Sequence, residues 1–540
     1  MITGTFSMKC IIGKNNITQQ VPELLYDESR FTLGIPQAAY FPTTPADVRA
    51  VVSEAYAGRT PITVIGGKTG IAGACVPIDN SIVLCFSEMS HIRAIRRLSD
   101  GTPMLVCDPG VTLDAIETFL DSPESYSGAV QGIESLAGSR WFYPPDPTEM
   151  TAHLGGTVAT NASGSRSFHF GPTRRYVEEI SVVLADGDTA KIRRGACRED
   201  NGTFTLVTDQ GGTVTFHKPA YRFPDIKNAS GYYSGSEMDL IDLFIGSEGT
   251  LAVFTEIGIR LLAKPRFVAG LSFFPDRKMA FSAASFFRGQ KRIAAIEFFD
   301  ATALRILEAS REAMSLDLPQ FPAGKDAAVY WEFIERPDDP FEACFDEWET
   351  ALVRFGASFE STWSGFEEKE MEKIKTFRHA VPEAVNSAIA QYKRAEPGIR
   401  KVSTDAALPG DGFDRVTNLW FDKIRRSGLA HVVFGHLGDF HLHFNLIPHN
   451  ESELTSAKRL YEEMMESAIA AGGTVSAEHG IGKLKTSYLA RMYGKDAIDE
   501  MKRVKSALDP LWLLCRGNLF EYDPAQVLPE GHTDAGSSAR

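Results

Sequence analysis

The sequence predicts an α+β protein with more than one domain, and three observations lead to this prediction. The chain has 540 residues, more than one hydrophobic core usually organises. Short β-branched segments alternate with amphipathic helical segments over residues 36–265. After Pro265 the pattern changes to long charged helical stretches with isolated strands between them, which is typical of a second domain.

These changes divide the chain into four predicted parts. Residues 1–35 form an N-terminal extension, residues 36–265 the first domain and residues 266–523 the second. Residues 524–540 are small and polar without periodicity, so they predict a flexible tail.

The composition excludes several classes of protein. Apolar residues make up 43% and charged residues 23%, as in ordinary globular proteins. The net charge of −14 argues against nucleic-acid partners, because phosphate binding relies on clustered Lys and Arg. The seven cysteines include no CxxC pair for zinc or an iron-sulfur cluster. Without a signal peptide or a long apolar run, the sequence predicts a cytoplasmic protein, and peripheral association with the inner face of a membrane stays open.

Residues 44–73 predict the order helix, strand, glycine-rich loop. Thr44 is a typical N-cap residue, Pro45 suits the first helical position, and Gly58 follows the last turn. A strand over residues 61–65 then leads into GGKTGIAG at residues 66–73. Glycines let backbone amides approach a phosphate closely, because they lack a Cβ atom. The loop is neither a P-loop, which needs glycine at position 62, nor the GxGxxG of a Rossmann fold.

Two further loops of small residues each lie beside a predicted strand. PPDPT at residues 144–148 leads to GGTVATNASGS at residues 155–165, and GSEGTL occupies residues 246–251. In order and spacing, the three loops resemble those of the FAD-binding domain of the vanillyl-alcohol oxidase and p-cresol methylhydroxylase type. The resemblance implies a two-part FAD-binding domain of this type at residues 36–265, followed by an α+β substrate cap domain.

The resemblance also implies how FAD is held. Lys68 and Thr69 stand where some members of the family carry a histidine that tethers the flavin, so non-covalent binding is expected. His153 and His169, near the second loop, are interpreted as ordinary histidines. The FAD contacts implied by position are Gly66, Gly67, Lys68, Thr69, Gly73, Pro145, Asp146, Thr148, Gly155, Gly156, Asn161, Gly164, Ser165, Glu248 and Gly249.

The segment VVFGHLGDFHLHF at residues 432–444 predicts a β-hairpin that turns at Gly438 and Asp439. Pairing about this turn places His436 opposite His441, and the two-residue period of a strand adds His443 to the same face. The opposite face carries Phe440, Leu442 and Phe444. Imidazoles that cluster on one face of a hairpin indicate metal ligation.

A second cluster places Glu478 beside His479 in a glycine-flanked turn, before a predicted helical segment at residues 483–492. Together the two clusters resemble the C-terminal domain of FAD-linked D-2-hydroxy-acid dehydrogenases, whose pattern is HxGDGNxH followed by EHG. The resemblance implies that His436, His443 and Glu478 bind a divalent metal and that His479 is the catalytic base. Two imidazoles and one carboxylate suit zinc best, although iron and manganese accept the same set.

The sequence departs from the family's pattern at three places. Phe440 and His441 stand where the family usually has glycine and asparagine. His441 therefore either adds a fourth ligand or reshapes the substrate pocket. The segment around Cys515 resembles the one in which the family's chain returns to the flavin, but Cys-Arg-Gly replaces the usual Asn-Pro-Gly and leaves a flavin contact open.

The resemblance implies the oxidation of a small D-2-hydroxy acid, such as lactate, glycolate or 2-hydroxyglutarate, and the residues suit this chemistry. A divalent cation lowers the pKa of the substrate hydroxyl, and an imidazole accepts the proton as hydride passes to the flavin. Arg378 matches the family's arginine for the substrate carboxylate, and Lys401 is a second candidate. Electrons would then leave to an external acceptor: a quinone, a cytochrome or an electron-transfer flavoprotein.

Two other functions remain open at this point. One is a metal-independent flavin oxidase of another alcohol, a phenol or a lipid ether, against which the intact His436, His443 and Glu478 set argues. The other is a non-catalytic flavoprotein subunit of an electron-transfer complex, with a purely structural metal. A homodimer is also left open.

Overall fold

A computed structural model describes residues 8–336 and 338–522, apart from the side chains of Glu368 and Glu372. The predicted flexible tail at residues 524–540 lies outside the described residues. The strands are β1 (Lys9–Ile12), β2 (Ala38–Phe41), β3 (Ile62–Ile65), β4 (Ile82–Cys85), β5 (Ile92–Arg97), β6 (Pro103–Cys107), β7 (Trp141–Phe142), β8 (Val177–Val183), β9 (Thr189–Arg193), β10 (Thr203–Val207), β11 (Thr213–His217), β12 (Val253–Arg260), β13 (Leu262–Ala263), β14 (Arg266–Phe274), β15 (Ile293–Asp300), β16 (Ala327–Glu335), β17 (Trp363–Gly365), β18 (Val402–Ser403), β19 (His431–Gly435) and β20 (His443–Leu446). The helices are α1 (Lys14–Gln20), α2 (Pro45–Ala57), α3 (Leu113–Asp121), α4 (Leu154–Ala159), α5 (Ser167–Phe170), α6 (Leu240–Phe244), α7 (Arg277–Arg288), α8 (Ala301–Ser310), α9 (Phe345–Arg354), α10 (Glu368–Ala395), α11 (Gly410–Ser427), α12 (Glu451–Ala470) and α13 (Thr486–Leu508). The predicted α+β class is confirmed.

The first sheet has the strand order β1-β2-β4-β3, in which β2, β4 and β3 are parallel and β1 is an antiparallel edge. The predicted helix after Thr44 is α2, and Thr44 and Asp47 form a capping box at its start. The predicted strand at residues 61–65 is β3, so both predictions are confirmed. Because β1 belongs to this sheet, part of the predicted N-terminal extension is built into the first domain.

The second sheet is antiparallel, with the order β5-β6-β12-β8-β9. Residues 180–184 and 251–261, whose short apolar and alternating patterns predict strands, correspond to β8 and β12. Val183 and Val253 from this sheet pack with Val48 of α2 and Leu84 of β4, which joins the two sheets through one apolar cluster. The first glycine-rich loop follows β3 and the third precedes β12, whereas the second is partly helical, because Gly155 and Gly156 lie within α4.

The second domain is built on a seven-stranded antiparallel sheet with the order β17-β14-β16-β15-β19-β20-β18. Helices α7, α9, α11 and α12 pack against one face, and α8 and α10 pack against the other. Neighbouring residues on a strand enter different layers: Trp331 of β16 packs on the first face and Tyr330 on the second. One of the long charged helical stretches predicted after Pro265, at residues 366–390, is α10, which continues through Pro382.

The end of the chain returns to the first domain. Helix α13, which is broken at Gly494 where φ is +78°, buries Met501 and Leu508 in the core of the antiparallel sheet of the first domain. It begins three residues later than the predicted helical start at 483. Beyond it, the Ile62 amide donates to the Leu513 carbonyl at 2.8 Å, and the Cys515 amide donates to the Ile62 carbonyl at 2.8 Å. The last part of the predicted second domain therefore completes the first.

Candidate flavin cavity and histidine cluster

A cavity lies between the three glycine-rich loops. At Gly70 and Gly156 an added Cβ atom would meet no other atom within 4 Å, so these glycines face open space that a side chain would fill. Lys68 and Glu248 hold φ angles of +61° and +52°, a left-handed conformation that is uncommon for non-glycine residues. A cavity wall rich in glycine lets the pyrophosphate of FAD approach the backbone closely, so the residues present fit this cofactor.

The structure brings nine of the fifteen implied FAD contacts to the wall of this cavity. The nine predicted contacts that line the cavity are Gly66, Gly67, Lys68, Thr69, Thr148, Gly155, Gly156, Glu248 and Gly249. The six that do not are Gly73, Pro145, Asp146, Asn161, Gly164 and Ser165. Several of the six shape the loops instead: Asn161 accepts from the Arg174 amide at 2.9 Å, and a Cβ atom on Gly164 would lie 1.6 Å from the Asp146 carbonyl oxygen.

The cavity wall also contains residues that were not predicted as FAD contacts, among them Asp27, Cys75, His153 and Cys515. The buried Asp27 carboxylate accepts from the Gly73 amide at 2.8 Å, and burial raises its pKa. His153 was interpreted as an ordinary histidine, yet its buried Nδ1 has no hydrogen-bond partner among the described residues. Cys515 brings the C-terminal segment to the cavity wall, at the place where the sequence left a flavin contact open.

Glu248 connects the third loop to the segment that carries Glu478 and His479. Its carboxylate accepts from the Ile481 amide at 2.7 Å and from the Gly482 amide at 2.6 Å. Burial raises its pKa to about 7, although these amides act in the opposite direction. The Glu478-His479 turn is therefore fixed at the edge of the flavin cavity, and both residues line it.

The hairpin has the predicted register but not the predicted turn. Phe434 pairs with His443, and the same register continues to His436 and His441, where the His441 amide donates to the His436 carbonyl at 3.1 Å. The two-residue turn at 438 and 439 is wrong. The connection is a four-residue loop that contains a 3-10 turn at Leu437–Asp439 and ends with Phe440 at a φ of +54°.

This hairpin and the following turn assemble a buried cluster of His436, His441, His443 and Glu478. One ligand-capable atom of each residue lies within 4.8 Å of those of the other three. Nε2 of His436 lies 3.0 Å from Glu478 Oε1, and Nε2 of His443 lies 3.8 Å from Glu478 Oε2. Nitrogen and carboxylate donors at this spacing fit a divalent metal, so the residues present suit such an ion.

Burial and charge set the protonation of this cluster. Burial disfavours the charged imidazole of His436, but the neighbouring Glu478 outweighs it and raises the pKa to about 9. Burial and the neighbouring histidines hold the pKa of His443 well below its usual value. Burial opposes ionisation of Glu478, but His436 and Lys227 hold its pKa well below the usual range. His443 and Glu478 therefore hold the neutral imidazole and the carboxylate that bind metals, whereas His436 would release a proton on binding one.

Lys227 is a functional candidate that the sequence analysis missed. Its buried ammonium lies 2.5 Å from Glu478 Oε1 and 3.4 Å from Asp439 Oδ2, and it donates to the Gly164 carbonyl at 3.1 Å. Burial lowers the pKa of Lys227, but Glu478 and Asp439 reverse this effect and raise it. The ammonium therefore supplies positive charge to the cluster and links it to the second glycine-rich loop.

Asp405 was also missed as a site residue, and it holds His479. Oδ2 of the buried Asp405 carboxylate lies 3.1 Å from His479 Nδ1, 2.8 Å from Lys485 Nζ and 2.6 Å from Ser476 Oγ. Burial opposes ionisation, but His479 and Lys485 hold the pKa of Asp405 well below its usual range. A carboxylate on Nδ1 fixes the tautomer in which Nε2 is free to accept a proton.

Arg378 lies close to the cluster through Glu297. Nε of Arg378 donates to Glu297 Oε2 at 2.8 Å, and Glu297 Oε1 lies 2.8 Å from His436 Nδ1. Burial opposes ionisation of Glu297, but Arg378 and His436 lower its pKa to about 2. Nη2 of Arg378 is buried without a hydrogen-bond partner among the described residues, and Nη1 lies 3.5 Å from Asp146 Oδ2. The free nitrogen suits a substrate carboxylate, and Asp146 faces this side rather than the flavin cavity.

Lys401 lies apart from these residues. It precedes β18, and its Nζ donates to Asn386 Oδ1 of α10 at 2.9 Å. The sheet register puts Val402 opposite Leu446, three residues along β20 from His443. The structure therefore does not bring Lys401 to the cluster with His436 and Arg378.

Comparison with known families identifies both parts of the chain. The model for the FAD binding domain matches residues 36–139 and 131–193, and the model for FAD linked oxidases, C-terminal domain, matches residues 264–519. The chain belongs to the FAD-linked oxidase family. As an FAD-linked oxidase it is an oxidoreductase, and the predicted p-cresol methylhydroxylase type of FAD-binding domain is confirmed.

Curated relatives align with this FAD-linked oxidase over most of its length. Glycolate oxidase subunit GlcD of Bacillus subtilis (strain 168) is 28% identical over 92% of both chains. D-2-hydroxyglutarate dehydrogenase of Stutzerimonas stutzeri (strain A1501) is 26% identical over 90% of this chain and 91% of that protein. D-lactate dehydrogenase of Archaeoglobus fulgidus is 24% identical over 88% of this chain and 90% of that protein.

A solved structure shares the fold of the oxidase. Alkyldihydroxyacetonephosphate synthase superposes with a TM-score of 0.57 at 13% identity, over 89% of this chain and 76% of that one. In the described part of the oxidase, no helix has both the length and the apolar character needed to cross a membrane.

Proposed function

We propose that this FAD-linked oxidase oxidises a small D-2-hydroxy acid to the 2-oxo acid, with a divalent metal held by His436, His443 and Glu478. The observation that carries the proposal is the position of Glu478 and His479. Both line the flavin cavity, while Glu478 also belongs to the buried histidine cluster. A proton acceptor, a metal site and the flavin would thus meet around one substrate carbon.

Each residue has a separate task. Arg378 binds the substrate carboxylate through its unpartnered Nη2, and Glu297 keeps the guanidinium in place. His479 accepts the hydroxyl proton on Nε2, because Asp405 occupies its Nδ1 side. When bound, the metal would lower the pKa of the substrate hydroxyl and FAD would accept the hydride.

The names of the relatives support a 2-hydroxy acid as the substrate. Glycolate oxidase, D-2-hydroxyglutarate dehydrogenase and D-lactate dehydrogenase all act on acids of this class, and two of the three names specify the D form. All seven cysteines are free, and none belongs to a candidate metal cluster in the described chain. Electrons are therefore proposed to pass to an external quinone, cytochrome or electron-transfer flavoprotein. A relative in Saccharomyces cerevisiae, 23% identical, is named D-lactate dehydrogenase [cytochrome] 1.

Anaerobic bleaching of the flavin tests the proposal. The purified protein is mixed with a panel of D- and L-2-hydroxy acids, before and after chelation, alongside His479→Ala. A matched control is His449→Ala, because His449 is a surface histidine paired with Glu453. We expect rapid bleaching by a D acid, lost on chelation and in His479→Ala but kept in His449→Ala.

Other results would redirect the proposal. If bleaching persists after chelation, the metal has no part in the reaction, and the proposed function would lose its metal site. If no 2-hydroxy acid bleaches a flavin that dithionite still reduces, the substrate class is wrong, and the metal-independent oxidase or the electron-transfer subunit becomes the better proposal. Cytoplasmic location, peripheral membrane association and a homodimer stay predictions.

A further inference from the structure

We propose that His441 is a fourth protein ligand, so that three imidazoles and one carboxylate hold the metal, and that this set selects a metal with five or six ligands over zinc. The inference rests on the metal site of the proposed function. It concerns the position where the family usually has asparagine, and it decides between the two roles that the sequence left open for His441.

The environment of His441 calls for a ligand. The side chain is 0% exposed, and its Nδ1 makes no hydrogen bond with any described residue. Its ring centre lies 4.5 Å from that of His443 and 5.5 Å from that of His436. A fully buried imidazole nitrogen without a partner is costly, and a metal among these rings would remove that cost by accepting the nitrogen as a ligand.

All three histidines of the cluster share one arrangement. Nδ1 of His436 faces the Glu297 carboxylate at 2.8 Å, and Nδ1 of His443 lies 3.2 Å from the Thr404 carbonyl oxygen. Nε2 of His441 lies 3.2 Å from Asp405 Oδ1. Metal-bound histidines typically direct their second nitrogen to such an acceptor, which orients the ring and strengthens the ligand. The acceptor beside each ring leaves the other nitrogen for the cluster.

The contact with Asp405 also suggests the main alternative role for His441. His441 would then only support Asp405, as Ser476 and Lys485 do. However, the Asp405 carboxylate already receives the Glu478 and His479 amides at 3.3 and 3.1 Å as well. Asp405 does not need a further donor, whereas Nδ1 of His441 makes no hydrogen bond with any described residue.

A fourth ligand changes which metal the site prefers. Zinc in proteins is most often four-coordinate, and four protein donors would close its coordination shell as in structural sites. A substrate can bind such a set only if the metal accepts five or six ligands, as manganese and iron(II) commonly do. The site is therefore expected to favour manganese or iron(II), whereas His436, His443 and Glu478 alone favour zinc.

X-ray absorption spectroscopy counts the imidazole ligands of the bound metal, so it tests the inference without measuring enzyme activity. The full-length protein with its FAD is stripped of metal and loaded in turn with manganese and zinc, and binding is followed by calorimetry. The same measurements are made on His441→Asn and on His449→Asn, the surface control. We expect three imidazoles in the wild type, two in His441→Asn, and a loss of manganese affinity of at least about tenfold, with zinc affected less.

Each other outcome has a definite meaning. Two imidazoles around a bound metal in the wild type would overturn the role of His441 and leave the three-residue site intact. No stoichiometric binding of any divalent metal would overturn the metal site of the proposed function as well. The wild-type count decides the question even if His441→Asn does not fold.

Discussion

An Asp405→Asn variant keeps the size of the side chain but replaces one acceptor oxygen by an amide that donates. In the wild type, Oδ2 accepts from Ser476 and Lys485, and Oδ1 accepts from the Glu478 amide. Either orientation of the new amide therefore points a donor at other donors. The His479 ring loses its acceptor on Nδ1 whenever the amide nitrogen faces it, and Nε2 then carries the proton.

Two effects of different size follow. Nε2 cannot accept the substrate proton in the wrong tautomer, and loss of a general base costs about 10² to 10⁴ in rate. The Lys485 ammonium, only 12% exposed, also loses its carboxylate partner. Breaking a buried ion pair from one side costs about 3 kcal/mol of folding stability. We therefore expect slow flavin reduction in a protein that is less stable but still folded.

Anaerobic stopped-flow reduction of the flavin by a saturating D-2-hydroxy acid measures the first effect, and thermal denaturation measures the second. The matched control is Lys485→Met, which removes the same ion pair but leaves the carboxylate beside His479. We expect a comparable loss of stability in the control, with a flavin reduction rate within about tenfold of the wild type. Equal slowing in both variants, or a normal rate in Asp405→Asn, would refute the orienting role of Asp405.

Three further predictions concern neighbouring charges. Arg378→Lys keeps a positive charge beside Glu297 but loses the free guanidinium nitrogen, so the Kd of the substrate, titrated on the flavin spectrum, should rise about tenfold or more; an unchanged Kd would remove Arg378 from substrate binding. The pKa of Glu248 is about 7 in the folded protein and 4.5 in its unperturbed state, so the folded protein retains this proton longer than the unfolded chain. The free energy of unfolding of the FAD-free protein should therefore fall by about 3 kcal/mol as the pH rises from about 4.5 to about 7, and Glu248→Gln should lose this component in denaturant titrations; an identical slope in both proteins would contradict the assignment. Lys505→Met leaves the fully buried Asp509 carboxylate without its cation, so we expect a loss of about 3 to 5 kcal/mol, seen as a lower Tm and weaker FAD retention, whereas an unchanged Tm would show that the pair is dispensable.

Elements with local signals were predictable from the sequence. Helix α2 carries its N-cap, its proline and its terminal glycine within one stretch, and β3 leads directly into a glycine-rich loop. The alternating histidines gave the hairpin register for the same reason. Its turn was wrong because Phe440, in a left-handed conformation, is held by distant residues: its ring packs on Phe413 and under the guanidinium of Arg288. Such packing leaves no trace in the segment itself.

The residues of the candidate site also fall into those that local motifs predict and those that they do not. Motifs marked His436, His443, Glu478 and His479, since each lies within a few residues of another. Lys227 had no such mark, because it meets Glu478 across 251 residues of chain and lies in a segment without periodicity. Glu297 and Asp405 are equally isolated in sequence, and only the folded cap sheet brings their charges beside the histidines.

The return of the chain to β3 also sets an order of assembly. The Val64 amide donates to the Cys515 sulfur at 3.5 Å, and these residues are separated by 451 positions. During synthesis the ribosome delivers the first cofactor loop early but the opposite wall of its cavity near the end, after the whole cap has emerged. A nascent chain can thus fold its first sheet while the cofactor's compartment stays open on one side. Stable flavin capture becomes a late event in maturation, and premature termination before residue 515 leaves that compartment without its final wall.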